Sequence, residues 1–254
     1  MGSAMLAGWR ERGLGASFAV DPAPDAARNA GSDLTVVSSL ASVPAAFKPA
    51  AVVLAVKPQS AADALPGYAK FADSAVFLSI MAGRTISGIQ GLLGGSAAIV
   101  RAMPNTPAAV RQGITVATPS TSVTSGQRAL CESLLRAIGL VEWVEQEGLL
   151  DPVTAVSGSG PAYVFLLAEL MERAAIEQGI APELARVLAR QTVSGSGALL
   201  AASSETAAEL RKAVTSPGGT TEAALKVLMA QDALPKAFGE AIAAATRRSR
   251  ELAG

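Results

Sequence analysis

An α/β domain followed by an all-helical domain is the fold class that this sequence predicts, and three observations predict it. Short, continuous apolar runs alternate with short helical patterns through the first 146 residues. The strands vanish after that point and only long helical patterns remain. Half of the residues are hydrophobic but only 4% are aromatic, which suits close backbone packing of Gly, Ala and Val. The first half is expected to be a Rossmann-like, doubly wound parallel sheet over 1–146, and the second a helical domain over 147–254.

The chain opens on Met1–Trp9 as a helix already under way, with nothing to cap it. Ala16–Val20 reads as a strand ending in Asp21. A strand that ends in an acid is the ribose end of a dinucleotide fingerprint, in which the acid follows a glycine-rich turn by about 20 residues. Gly2 as the last glycine of that turn puts Asp21 near the right place, while the bland reading makes Gly2 only the residue after a start methionine. Leu34–Val37 is a short β-rich run, and Ser42 is expected to cap a short helix ending near Phe47.

Ala51–Val56 is apolar throughout, as in a strand buried on both faces, and Lys57-Pro58 stops it. Gln59–Leu65 allows a turn or two of helix, Ala75–Ile80 is the next buried strand, and it ends in Met81-Ala82-Gly83. Thr85–Leu93 is helical. Ala97–Met103 is a strand ending in Pro104-Asn105-Thr106-Pro107. Gly113–Thr118 and Leu140–Val144 are further strands, with the helix Ser125–Ala137 between them. Ligands of doubly wound sheets bind beyond the carboxyl ends of the strands. Those ends carry Asp21, Lys57-Pro58, Met81-Ala82-Gly83 and Asn105, small or polar groups that together make a nucleotide rim.

In the second half Asp151-Pro152 looks like a helix start, with Pro in the first turn. Ser157–Pro161 reads as a flexible loop entering the helix Ala162–Gln178. That helix is apolar except for one narrow stripe of Glu169, Glu172, Arg173 and Glu177. Pro182–Ala202, Ala207–Val214, Thr221–Met229 and Pro235–Leu252 complete the helical half. Helices apolar on so much of their surface need more cover than about 100 residues supply, so a dimer with the long helices across a two-fold axis is expected.

Ser216-Pro217-Gly218-Gly219-Thr220-Thr221 precedes one of these helices. Its glycines free successive N–H groups to converge on one point, the helix start adds unpaired donors and a positive dipole end, and three hydroxyls surround the point. Such a loop can hold a carboxylate or a phosphate; an N-cap on a Pro-Gly turn is the bland alternative.

Composition excludes much. The formal charge is zero, with 21 basic and 21 acidic residues, and the Arg247, Arg248 and Arg250 group suits the end of a last helix better than nucleic acid. One cysteine, Cys131, excludes an intrachain disulfide and a cysteine metal cluster, and it falls in an apolar helical pattern expected to be core. The absence of histidine removes the commonest general base, the Ser-His triad and most zinc sites, and no metal is expected. The longest unbroken apolar runs, such as Ala50–Val56, fall short of a bilayer, and no signal layout opens the chain. A cytoplasmic protein without membrane or nucleic-acid partners is expected.

Four stretches carry a resemblance: Ala55-Val56-Lys57-Pro58, Met103–Pro107, Ser157–Tyr163 and Thr215–Thr221. In order and spacing, from residue 1 to the end, the chain resembles the pyrroline-5-carboxylate reductase family. The resemblance implies a Rossmann domain, a helical dimerisation domain, dimers that often assemble into rings, and reduction of a cyclic imine to L-proline by NADPH or NADH. It implies cofactor contacts at Met1, Gly2, Asp21, Ala55, Val56, Lys57, Pro58, Ala82, Gly83 and Asn105. It implies a substrate carboxylate held by Ser216, Gly218, Gly219, Thr220 and Thr221, with the partner subunit's helices completing the pocket. A protonated cyclic imine is already electrophilic, so positioning carries the chemistry and the lack of histidine fits. Thr221 is the catalytic candidate if a side chain gives the proton.

The sequence departs from the family pattern in three places. The family begins with a strand and a G-x-G-x-x-[GA] turn, of which Met1-Gly2 alone remains, so a misassigned start codon or a truncation is expected. Asp21 stands where members favouring NADPH often carry a small polar or basic residue; a carboxylate accepts a ribose hydroxyl and repels a 2′-phosphate, which leans toward NADH. Ser42 stands where some relatives carry Asn. Two rival readings remain: a β-hydroxyacid-dehydrogenase-like enzyme and a non-catalytic dimeric scaffold. The first wants a lysine in the helical half, and none lies between Lys70 and Lys212.

Overall fold

The structure is a computed structural model that describes residues 1–253. Its residues divide into two compact units, Met1–Gly158 together with the chain from Ala245, and Ser159–Ala244.

The first unit is built on strands β1 (Ser17–Val20), β2 (Leu34–Val37), β3 (Ala51–Leu54), β4 (Val76–Ser79), β5 (Ala98–Met103), β6 (Gly113–Pro119) and β7 (Gly139–Trp143). β1 and β2 pair in parallel with each other, and β3-β4-β5-β6-β7 form a second sheet in that order. β3, β4 and β5 run parallel, Ala51 opposite Val76 and Val76 opposite Ala98. The apolar runs are continuous because both faces of this sheet are covered. Val76, Leu78 and Val100 face one core with Met5, Cys131, Leu135 and Ile138. Phe77 and Ile99 face the other with Leu54, Leu65, Ile89 and Leu93. The first core takes its cover from α1 (Gly2–Glu11) and α4 (Ser125–Arg136), the second from α3 (Ile86–Leu93) and the irregular helical stretch 58–71, which contains α2 (Ala61–Ala64). Thr85 caps α3 by accepting from the Gly88 N–H, and Thr124 with Gln127 closes a capping box on α4.

Four local expectations are corrected. β6 runs antiparallel to β5, not parallel. Residues 104–112 between them hold only the short helical turn Thr106–Val110, less than the dozen or so residues a parallel crossover needs. α4 supplies such a crossover, and β6 and β7 are parallel. Ser42 caps no helix: it ends the turn Leu40–Ser42, and Pro44 begins a separate turn closed by Phe47 N–H to the Pro44 carbonyl. The stretch Ser157–Pro161 is no loop. Helix runs from Glu147 to Glu177, through α5 (Leu150–Val153), a π-helical segment Thr154–Gly158 and α6 (Gly160–Glu177). Thr154 and Ser157 donate to the carbonyls of Leu150 and Val153, four residues back, which keeps their hydroxyls satisfied inside the helix. The helix therefore starts before Asp151-Pro152, and it holds an 18-residue stretch apolar enough by length and composition to cross a bilayer, although its unbroken apolar runs are short.

The second unit holds α6, α7 (Pro182–Ala202), α8 (Ala207–Ala213), α9 (Thr220–Leu228) and the start of α10 (Ala233–Ala253). α6 and α7 pack as a hairpin whose connection turns at Gly179, φ +88, and Glu172 meets Arg186 across it. No residue of α6 is buried, and only Ala185 and Ala189 of α7 are. Phe165 is 67% exposed, and Leu166, Leu167, Leu184, Val187, Leu199 and Leu200 are exposed as well. An apolar surface of this extent marks an interaction face.

Candidate functional site

In the first unit the elements bring the expected rim residues to strand and helix ends. Gly2 opens α1 against the end of β3: a Cβ at Gly2 would sit 3.6 Å from the Ala55 Cβ. Ala55, Val56 and Lys57 are exposed and Pro58 is half-buried beyond β3. Met1 is exposed, and its carbonyl takes the first bonds of α1, from the N–H groups of Ala4 and Met5.

Asp21 follows β1, its N–H bonded to the Val37 carbonyl. Its Oδ1 accepts from the Ala23 N–H at 2.9 Å, and Oδ2 has no partner among the described residues. One carboxylate oxygen thus fixes the turn and the other remains an acceptor for a hydroxyl. Asn105, half-buried, spends its carbonyl oxygen on the Ile114 N–H at 3.0 Å, which ties the end of β5 to the start of β6.

The segment Met81-Ala82-Gly83 follows β4. Met81 is buried, its N–H held by the Ser79 hydroxyl, while Ala82 is exposed. Gly83 has φ +69, and a Cβ there would lie 2.9 Å from the Leu252 carbonyl, so glycine is required on both counts. Arg84, which the sequence pattern did not flag, donates twice to the Pro58 carbonyl, from Nη2 at 2.8 Å and Nε at 3.1 Å, and so ties the β4 end to the β3 end. Glu147 was missed as well. Its Oε1 accepts from Arg101 and from the Ile86 N–H, both at 2.8 Å, which neutralises the buried Arg101 and places a negative charge at the start of α3.

In the second unit the stretch Ser216–Thr221 leads into α9. Gly219 is the N-cap, and no side chain caps the helix. Gly218 has φ +71. The first intrahelical bond is Ala223 N–H to the Gly219 carbonyl, which leaves the amides of Thr220, Thr221 and Glu222 ahead of the ladder. The hydroxyls of Ser216, Thr220 and Thr221 make no side-chain hydrogen bond among the described residues. The Gly219 N–H is spent on the Ser216 carbonyl, and the Gly218 N–H donates to Glu222 Oε2 at 2.7 Å. Glu222 was not anticipated, although an acid three residues after an N-cap is a readable sign that it reaches back.

Cys131 lies in the core, where burial pushes its thiol up to about 12, so it supplies no nucleophile near neutral pH. Among the described residues no group of three or more His, Cys, Asp or Glu side chains could hold a metal.

This sheet, its rim and the helical unit that follows define the chain as an oxidoreductase-type Rossmann protein with a helical dimerisation domain. Comparison narrows the class. Residues 147–252 match the family described as Pyrroline-5-carboxylate reductase dimerisation. A curated Pseudomonas aeruginosa protein named pyrroline-5-carboxylate reductase is 36% identical over 256 residues, covering 100% of this chain and 93% of that one. A solved pyrroline-5-carboxylate reductase from Coxiella burnetii superposes with a TM-score of 0.90 at 33% identity, covering 100% of this chain and 95% of that one. The Plasmodium falciparum pyrroline carboxylate reductase, solved with NADP bound, gives 0.84 at 28% identity, covering 100% and 95%. The chain belongs to the pyrroline-5-carboxylate reductase family.

Proposed function

We propose that this chain reduces 1-pyrroline-5-carboxylate to L-proline, the last step of proline biosynthesis, with a reduced nicotinamide dinucleotide as hydride donor. The observation that carries this reading is a match along the whole chain, in sequence and in fold, to proteins of that name. The functional division falls at 146/147, with a dinucleotide-binding part before it and a substrate-binding and dimerisation part after it.

The rim suits a dinucleotide: Gly2 and Ala55 offer small groups at a close approach, and Asp21 Oδ2 is an open acceptor for a ribose hydroxyl. When bound, the nicotinamide would supply the hydride that adds to the imine carbon, the ring carbon double-bonded to nitrogen, which becomes C5 of proline. Met1, Gly2, Ala55, Val56, Lys57, Pro58, Ala82, Gly83 and Asn105 line the dinucleotide path in this reading. The Asp21 charge disfavours a 2′-phosphate, so NADH is the preferred donor, unlike the NADP of the Plasmodium falciparum structure.

The loop Ser216, Gly218, Gly219, Thr220 and Thr221 holds the substrate carboxylate through the free amides at the start of α9. Its chemistry is suited to that group, because the Gly218 N–H already holds a carboxylate, that of Glu222. Thr221 relays a proton from solvent to the ring nitrogen, its hydroxyl taking one proton as it gives another, and orientation of the ring supplies most of the rate, an effect worth on the order of several kcal/mol. A second copy covers the exposed face of α6 and α7, and rings of dimers extend the assembly. A cytoplasmic location agrees with the single buried cysteine.

Oxidation of NADH and of NADPH by the purified chain in the presence of the imino acid tests the reading. Proline formation with NADH favoured is expected. Dinucleotide binding without turnover of the imino acid points to another reductase, and a stable dimer that binds neither ligand is a scaffold.

A further inference from the structure

The segment that follows β4 is held from outside the sheet by the far end of the chain. Ser249, in the last turns of α10 and 8% exposed, donates from Oγ to Asp151 Oδ1 at 2.7 Å. Asp151 is itself nearly buried, with 13% of its side chain exposed, and sits early in the 147–177 helix, where a negative charge is favourable. Arg250 approaches its other oxygen at 4.0 Å. One turn past Ser249, the Leu252 carbonyl lies where a Gly83 Cβ would meet it at 2.9 Å. The backbone of Gly83 is thus pressed by the last turn of α10, while Arg84 beside it is tied to Pro58 and Ile86 to Glu147. Three contacts fix a segment whose one exposed residue, Ala82, faces outward at the strand end.

We propose that Ser249 is a positioning residue of the dinucleotide site: its hydrogen bond to Asp151 seats the last turn of α10 on Gly83 and so fixes the backbone of Met81–Arg84. Among the described residues, the other charged contacts near the end of this turn are weak. Arg250 is at the outer limit of an ion pair, Arg248 pairs within its own helix with Glu251, and Leu252 is 58% exposed. The inference rests on the rim assigned to the proposed reductase, and it concerns cofactor binding alone. The imino acid is held by a different stretch in that reading.

Full-length Ser249→Ala and Ser249→Thr chains test this against the wild type. Ser249→Ala is expected to raise the KM for the reduced dinucleotide roughly three- to tenfold, the effect of one charge-assisted hydrogen bond. The turnover at saturation and the KM for the imino acid stay within about twofold, because no group that touches the ring has moved. Ser249→Thr keeps the hydroxyl and restores the dinucleotide KM. Amide exchange in the free protein accelerates at 81–86 in Ser249→Ala and not along β4 or β5. An unchanged KM with unchanged exchange at 81–86 overturns the proposal, and so does a uniform rise of exchange through the unit, which would make Ser249 merely structural. A wild-type chain that reduces no imino acid sinks the reductase reading. The exchange at 81–86, read without any ligand, then still decides what Ser249 does.

Discussion

The two units spend similar apolar sequences in opposite ways. In the first, β4 sends Val76 and Leu78 to one face and Phe77 to the other, and all three are fully buried. In the second, α6 is apolar outside one stripe of charge, yet none of its residues is buried and Phe165 is 67% exposed. A sheet covered by helices on both faces closes its core within one chain. A helical hairpin has two faces to bury and one neighbour to bury them against, so the rest of its apolar surface is left for another subunit. Self-sufficiency and dependence on a partner are thus set by layer count rather than by hydrophobicity.

Charging the helical face breaks this contrast most sharply. Phe165→Glu is expected to weaken self-association by about 30-fold or more, the effect of losing one interface anchor, as read by sedimentation across a concentration series. Unaltered assembly would show that α6 is not what the partner covers. The converse change, Phe77→Ala, is expected to cost about 3–5 kcal/mol of stability with little change in the dimer contacts themselves, measured by denaturant unfolding. A loss below 1 kcal/mol would mean that the sheet unit, too, draws its stability from elsewhere.

Smaller effects probe the ends of the elements. Asp21→Ser is expected to shift the NADPH-to-NADH preference about tenfold toward NADPH, because the proposed ribose site then carries no charge to repel a 2′-phosphate. An unmoved ratio of the two kcat/KM values would take Asp21 out of the ribose site. Glu222→Gln removes the charge that the Gly218 N–H holds, and is expected to lower the KM for the imino acid by roughly two- to fivefold, within the range of one helix-terminal charge interaction. A raised KM would show that Glu222 helps to grip the substrate rather than compete with it.

The smallest expected effect is that of pH. Bonds from Arg111, Arg10 and Arg136 hold the carboxyls of Glu11, Asp33 and Glu132 below their usual range. Their folded values lie under the unfolded ones, so their contribution is complete above about pH 4.5 and is lost as pH falls through the folded values. With no histidine, melting temperature is expected to stay level from about pH 5.5 to 7.5 and to fall only in acid. A step inside the neutral window would require a titrating group that the chain does not advertise.

Much of this was legible before any coordinates. The run Ala51–Leu54 and the run Val76–Ser79 are strands because continuous apolar side chains of both parities need cover on two faces. The excess of apolar residues along 162–178 called for a partner, and the chain carries the family's dimerisation domain. The direction of β6 was not legible from its own residues, since direction lies in the length of the connection before it. Nor was the π-helical turn at Thr154–Gly158, because the run Ser157, Gly158, Ser159 and Gly160 promises a loop. There the hydroxyls bond back along the helix and keep it intact.

Local chemistry by itself determined the strands, the helices, the exclusion of histidine and disulfide chemistry, and the glycine-hinged loop ahead of α9, because each depends on residues that are neighbours in the chain. Only the tertiary structure decided that Arg84 ties two strand ends together, that Glu147 answers the buried Arg101, and that the last turn of α10 rests on Gly83. Those contacts join residues 26, 46 and about 170 positions apart, and side chains so distant meet only when the packing of whole elements brings them together.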